Sequence, residues 1–404
     1  MKKILLTALF VLIAFGMSFP GSIRAADTVN FGVCEIRSGA FKDNGDRTIW
    51  GIETAVKEAN SQGGLLGKQI QLVIEDNQGK GEIGVQKTKK LVMQDNCVVV
   101  IQGSSSGVGG AIGQAMPRLK RIYLDTNAEA MGITGENYNP FVFRTCLNAG
   151  MHVKAIAQYV AERTKLRKVF LINQDYSWGY DVASYYEKFI KQMAPDTQIV
   201  GKEFHPVFNK DFAPYMSKIM ASGADYLVSG NWGTDLTQLI VQGRNLGMKL
   251  PIGCTFLDDD GVMRIAGKDA QGCFQANMYI LGVDTDKARS FEETFHKFSG
   301  GKWPSFVIME AYIGTNMFIE AVRKAGSFDT EKIIKAFENM KWEGPIGTIT
   351  MRAQDHQAQT PAVVAEYAPK TKYYDFPYLK PVMIIPADKI SLTLEESGWK
   401  PYKE

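Results

Sequence analysis

Three consecutive serines, Ser104, Ser105 and Ser106, separate the apolar run CVVVIQ (residues 97–102) from Gly107, Gly109 and Gly110. Hydroxyls at the opening of a helix, beside N–H groups that no helical carbonyl reaches, suit a carboxylate or phosphate. The same pattern fits an ordinary serine N-cap with glycines for close packing. A dinucleotide loop fits poorly, since the spacing is not GxGxxG and the unit is not the first βαβ. Four further loops carry usable chemistry. DTNAEAM (125–131) offers its backbone and Glu129 to an ammonium ion, or is a solvated turn. NQDYSWG (173–179) and GNWGTD (230–235) each set a tryptophan beside glycine. Tyr176, Trp178 and Trp232 can wall an apolar or cationic ligand, or pack on the following helices. CTFLDDD (254–260) suits an ammonium partner or, more simply, an acidic helix N-terminus. Catalysis has less support. There is no GxSxG, and His152, His205, His296 and His356 all lie outside these loops. With no CxxC and no His/Cys cluster, neither a metal nor a cofactor is expected.

Alternating strands and helices must position these loops. Residues 29–34 read as a first strand. Ile52, Ala55, Val56 and Ala59 form the i, i+3, i+4, i+7 stripe of a helix that Gly63 and Gly64 stop. Strands at 70–74, 97–102 and 121–124 follow, with helices at 83–93 and 109–119, the latter ended near Pro117. From Thr145 a second βα set runs to Met278. Helices at 306–324 and 330–339 and strands at 347–351 and 363–367 come after it. This rhythm predicts α/β architecture, with parallel sheets flanked by helices in two Rossmann-like lobes. In such sheets ligands bind beyond the carboxyl ends of the strands, where the five loops fall. Residues 375–404, with Pro377, Pro381, Pro386 and Pro401, read as an irregular tail packed on a lobe.

The N-terminus reads as a secretory signal peptide over residues 1–25: Lys2 and Lys3, then an apolar run, then Ala25 and Ala26. The leader holds Lys2, Lys3, Arg24 and no acid, so without it the net charge falls from +3 to 0. That balance gives no electrostatic footprint for nucleic acid or an anionic membrane. The remaining ~380 residues exceed one comfortable core and favour two domains. Of five cysteines, Cys254 and Cys273 lie in successive strands and can bridge, or all five are small buried residues.

The wording of several segments is more specific. GIETAVKEANSQGGLLGKQIQLVIEDNQG (51–79), VIQGSSS, NQDYSWG and GADYLVSGNWGTD closely resemble the periplasmic solute-binding proteins of the leucine/isoleucine/valine-binding family, across nearly all of residues 29–367. The resemblance implies a type I periplasmic binding protein fold, two lobes joined by three crossovers with a ligand cleft between them. By that likeness the crossings fall near Arg144, Ala276 and Met351. One lobe then takes residues 26–144 and 277–351, and the other 145–276 and 352–374. The family's carboxylate and ammonium sites match Ser104 to Ser106 and Ala128-Glu129, and its cleft aromatics match Trp178 and Trp232. Its acidic ammonium partner falls near Thr255, with Asp258 or Asp259 as a substitute after a local shift. The loop IRSGAFKDNGD (36–46) also departs from the family pattern, bringing Arg37, Lys42 and Asn44 near the cleft.

The implied function is the periplasmic solute-binding component of an ABC importer. It would act as a monomer, closing over an amino acid or related small carboxylate and serving a permease in the inner membrane. Aromatic acids, amides or other small organic solutes are alternative ligands on the same fold. An exported hydrolase or amidase using a serine of the SSS loop is the enzyme alternative, and a sensor module of the same fold is another.

Overall fold

The computed structural model describes residues 27–39 and 41–403, so the expected signal peptide lies outside the described residues. The first sheet is parallel, in the order β2-β1-β3-β4-β5. Its strands are β1 (Thr28–Glu35), β2 (Gln69–Asp76), β3 (Val99–Gln102), β4 (Ile122–Asp125) and β5 (Val142–Arg144). Every residue of β3 and β4 is buried, as a parallel sheet covered on both faces requires. Helices α1 (Lys42–Ser61), α2 (Gly81–Met93) and α3 (Ser106–Leu119) connect the strands. α1 buries Ile52, Ala55, Val56 and Ala59, the stripe legible in the sequence. It ends where Gly64 turns left-handed at φ 84° and its N–H reaches the Ala59 carbonyl. α3 carries Pro117 in its last turn and ends at Leu119, as expected. The Gly113 carbonyl that the proline ring leaves without a donor accepts instead from Asn139 Nδ2 at 3.0 Å.

The second sheet continues the rhythm through α4 (Ala149–Arg163), β6 (Lys168–Gln174), α5 (Ser177–Met193), β7 (Gln198–His205), α6 (Ala213–Ala221), β8 (Tyr226–Ser229), α7 (Gly233–Asn245), β9 (Ile252–Cys254), α8 (Asp260–Ala266) and β10 (Cys273–Asn277). The chain then forms α9 (Asp286–Phe298), α10 (Phe306–Ala325) and α11 (Thr330–Phe337). α10 lies against α1 so closely that a Cβ on Gly51 would meet the Ile308 carbonyl oxygen at 2.2 Å. A small antiparallel sheet follows, made of β11 (Lys341–Gly344), β12 (Gly347–Met351) and β13 (Ala358–Gln359). β14 (Ala362–Ala368) and β15 (Tyr378–Ile385) then join the second sheet antiparallel, giving the order β15-β14-β10-β9-β8-β6-β7. α12 (Ala387–Ile390) comes last. The chain thus rejoins the second sheet at β14, after the small antiparallel sheet ends at Gln359. The tail read as irregular contains a full strand, because Pro381 sits at a register shift on the sheet edge, where a missing N–H is tolerated. All five cysteines are buried and free. The β9–β10 register sets Cys254 diagonal to Cys273, opposite Gln275.

Two buried groups fix the cleft loops to these sheets. Arg144, the last residue of β5, has no solvent exposure. Its guanidinium donates to Gln357 Oε1 (2.6 Å), Thr134 Oγ1 (2.6 Å) and the Ala130 carbonyl (2.6 Å). Its backbone N–H donates to the His356 carbonyl, which ties the first passage to the third. Glu35, the last residue of β1, accepts from the N–H groups of Gly103 (2.6 Å) and Ile36 (3.2 Å) and from the Ser104 hydroxyl. Burial pushes its carboxyl up to about 8.

Arg144→Leu strands several buried acceptors. It should lower the unfolding free energy by roughly 3–5 kcal/mol, the range for breaking a buried charged network, read from urea unfolding. Glu35 stays protonated in the fold while the unfolded chain ionises, so stability drains away as pH rises from 4.5 to about 8. Glu35→Gln imitates the protonated form. Relative to the parent it should gain ~1 kcal/mol or more between pH 5 and pH 8 in the same assay, given about 1.4 kcal/mol per pKa unit.

Candidate ligand cleft

The loops after β1, β3 and β4 face those after β6, β8 and β9 across a cavity of about 210 Å³. Eight of the residues expected from sequence line it: Asn44, Ser104, Ser105, Ser106, Glu129, Tyr176, Trp178 and Trp232. Ala128, Thr255 and Asp258 do not. The Ala128 N–H donates to Asp125 Oδ1 (2.7 Å), which turns its methyl into the core. Thr255 is wholly buried, and its carbonyl accepts from Asn277 Nδ2 (3.1 Å). Asp258, also wholly buried, accepts from the Phe306 N–H (3.1 Å) at the start of α10. Burial pushes its carboxyl up to about 8, and the side chain fastens the start of α10.

The serine hydroxyls are mostly committed to the protein. Ser104 is bonded to Glu35, and Ser105 caps α3 by accepting from the Val108 N–H (3.5 Å). Ser106 Oγ accepts from the N–H groups of Glu129 and Ala130, each at 3.1 Å, joining the two ligand loops of the first lobe. What the loop leaves for a guest is chiefly backbone. The N–H groups of Ser106 and Gly107 open α3, where no intrahelical carbonyl reaches them.

Beside them stands Glu129, 1 % exposed, with Oε2 2.8 Å from His152 Nε2. His152 belongs to α4, and its Nδ1 lies 3.0 Å from the Ala276 carbonyl oxygen. Burial pushes the Glu129 carboxyl well up and the His152 imidazole down to about 4. Both shifts have one cause, and both favour a pair that is neutral overall. Asn127 Nδ2 bridges Glu129 and the buried Glu310 of α10.

Aromatic faces make the opposite wall. Trp178 donates from Nε1 to the Gly230 carbonyl (2.7 Å) and lies 5.0 Å from the Phe256 ring. A Cβ at Gly230 would meet Trp178 Nε1 at 2.9 Å, so the glycine is what lets the indole in. Trp232 donates from Nε1 to the Tyr176 hydroxyl (2.9 Å). Phe41, from the first lobe, lies between Trp232 (3.9 Å) and Phe208 (4.5 Å). Arg47 of α1 reaches Asp259 (2.7 Å) and Asp260 (2.6 Å) at the start of α8, so the mouth of the cleft is spanned by both lobes. Asp259 also caps α8, accepting from Gly261 and Val262, as the acidic N-terminus reading expects. Phe41, Arg47, Asn127 and Phe256 are lining residues that sequence reasoning did not single out. Phe41 lies inside the loop flagged for its charges. Arg47 carries no local signal, since its partners are more than 200 residues away. Among the described residues no cluster of potential metal ligands occurs, and no helix is long and apolar enough to cross a membrane.

Comparison with known proteins agrees with this architecture. The family described as periplasmic binding protein matches residues 28–372. The Leu/Ile/Val-binding protein homolog 4 of Brucella abortus is 31% identical over 371 residues, 88% of each chain. Among solved structures, the leucine-, isoleucine-, valine-, threonine- and alanine-binding protein of Brucella ovis, in closed conformation, superposes with TM-score 0.86 at 29% identity. That match covers 93% of this chain and 100% of the other. The branched-chain amino acid transporter substrate binding protein of Streptococcus pneumoniae, in complex with isoleucine, shares the fold at TM-score 0.76 and 21% identity, covering 88% of this chain and 100% of that one. The match to nearly the whole length, on two α/β lobes around a cleft, means that this chain belongs to the periplasmic binding protein family, whose members work outside the cytoplasm.

Proposed function

We propose that this protein is the solute-binding component of an ABC importer. It closes its two lobes over an amino acid or related small carboxylate and presents it to a permease in the inner membrane. The carrying observation is the cavity between the lobes, with Ser106, whose N–H opens α3, at one end and the faces of Tyr176, Trp178 and Trp232 along the other. A carboxylate satisfies the first and an apolar side chain the second. Such a ligand is the kind for which the Brucella and Streptococcus proteins are named. On this reading the leader, residues 1–25, is removed on export to the periplasm, and the protein acts as a monomer. The moving bodies are residues 26–144 with 277–359, and 145–276 with 360–403. Closure is a hinge motion about the three passages. Arg47 with Asp259 and Asp260, and Phe41 over Trp232, clamp the mouth.

A second ligand class, aromatic acids and amides, is favoured by one observation. Phe41, Phe256 and Phe306 add three more rings to the aromatic wall. The hydrolase alternative is weakened because the Ser104 hydroxyl is engaged by Glu35 and the Ser106 hydroxyl oxygen by two backbone N–H groups, and among the described residues neither makes a hydrogen bond to a histidine.

Calorimetry against amino acids, aromatic carboxylates and amides should give a one-to-one complex. Mass spectrometry should recover its ligand chemically unchanged; turnover of the ligand would overthrow the binding reading. Trp232→Ala should weaken that complex at least tenfold, ~1.4 kcal/mol or more, with the far-ultraviolet circular dichroism unaltered. Parent-like affinity would remove Trp232 from the site. Arg47→Ala should enlarge the radius of gyration in small-angle scattering by releasing the mouth. An unchanged radius with unchanged affinity would show that the clamp does not hold the lobes.

A further inference from the structure

Glu129 and His152 meet beneath the cleft from opposite lobes, one on the loop after β4 and the other on α4. A carbonyl oxygen only accepts, so His152 Nδ1, 3.0 Å from the Ala276 oxygen, carries a proton. Nε2 then offers either a lone pair to a Glu129 O–H or a second proton to a Glu129 carboxylate. Oε2 and Nε2 are 2.8 Å apart, near enough to pass a proton, yet among the described residues neither atom makes an aligned hydrogen bond to any partner, so both are buried and unsatisfied until a ligand arrives. The other titratable and charged groups facing the pair are Asp125, Glu310, Arg144, Cys146 and Tyr176. Asp125, Glu310, Cys146 and Tyr176 are all held toward their neutral forms by burial. Arg144 is committed to Gln357, Thr134 and two backbone carbonyls. The pair is thus the movable charge at the polar end of the cleft, and Glu129 lines the cavity.

We propose that His152 is a specificity-determining positioning residue: it takes the proton of Glu129 when a ligand ammonium group arrives, so that the cleft selects zwitterionic amino acids over the same carboxylates without the amino group. The inference rests on the reading of the cleft as the seat of a small carboxylate. As the ligand enters, the Oε2–H bond of Glu129 breaks and an Nε2–H bond forms on His152. The ligand keeps its three ammonium protons, and no proton enters or leaves the protein. A bare buried carboxylate would be costly; here it exists only while an imidazolium lies on one side and an ammonium on the other. A ligand without the ammonium leaves the pair neutral and gains nothing from it.

Titration calorimetry with L-leucine, L-phenylalanine, 4-methylpentanoate and 3-phenylpropanoate, in buffers of different ionisation enthalpy, tests this. In the parent protein each amino acid should bind at least tenfold more tightly than its counterpart, with no net proton exchanged. Glu129→Gln should abolish that preference. His152→Gln should keep some amino-acid binding but release about one proton per ligand, a readout that a purely structural histidine would not move. A proton count near one in the parent would overturn the proposal, as would a preference surviving in Glu129→Gln; the parent measurements decide even if a variant fails to fold. Equal affinity for 3-phenylpropanoate and L-phenylalanine would overturn it while leaving the carboxylate cleft standing. Binding of none of the four probes would remove both.

Discussion

A guanidinium cut off from water governs the floor of this molecule. Arg144 ends the last strand of the first sheet, and its guanidinium donates four hydrogen bonds to oxygens of the neighbouring segments. By holding the carbonyls of Ala128 and Ala130 it fixes the loop on which Glu129 stands. By holding Gln357 it fixes the third passage beside the first. A charged group in a dry interior is stable only while its acceptors stay in place, so the pivot of the cleft is the part least free to yield.

Around that rigid floor the two walls are built from different physics. The first lobe supplies polarity: the three serines, Asn127 and Glu129 line the cavity, and the serine hydroxyls tie its loops together. The second lobe supplies area, with indoles whose own N–H groups are already satisfied by Gly230 and Tyr176. Satisfied indoles can present apolar faces without a desolvation cost. The mouth joins the two, since Phe41 and Arg47 carry one aromatic and one ionic contact from the first lobe into the second.

How much of this is legible in sequence follows from range. Periodicity marks α1 and the buried strands because the spacing of apolar residues is local, and glycines mark its end for the same reason. The rule that ligands lie beyond strand carboxyl ends finds the serine loop, the Glu129 loop and both tryptophan loops. Residues whose role depends on a distant partner escape it. Arg47 looks like a helix surface charge until Asp259 is brought to it. Asp258 looks like a ligand group until the N–H of Phe306 claims it. The serines are found in the right place but with their hydroxyls turned to Glu35, Val108 and the Glu129 loop. Pro381 argues against a strand by composition, and only an edge position, which sequence does not reveal, permits one.

The position of that last strand bears on how copies of this protein tolerate one another. A seven-stranded sheet has two open borders, each a row of unpaired backbone groups able to template a neighbouring chain. Here one border is β15, with Lys380 exposed and Pro381 at a register shift. The other is β7, irregular opposite Val169 and Phe170 and carrying Lys202 and Glu203. Neither border is straight or uncharged. The late strand that completes the second lobe sets a charge and a proline on a border that also exposes Val382 and Ile384, so topology rather than the ligand site decides how open that margin is.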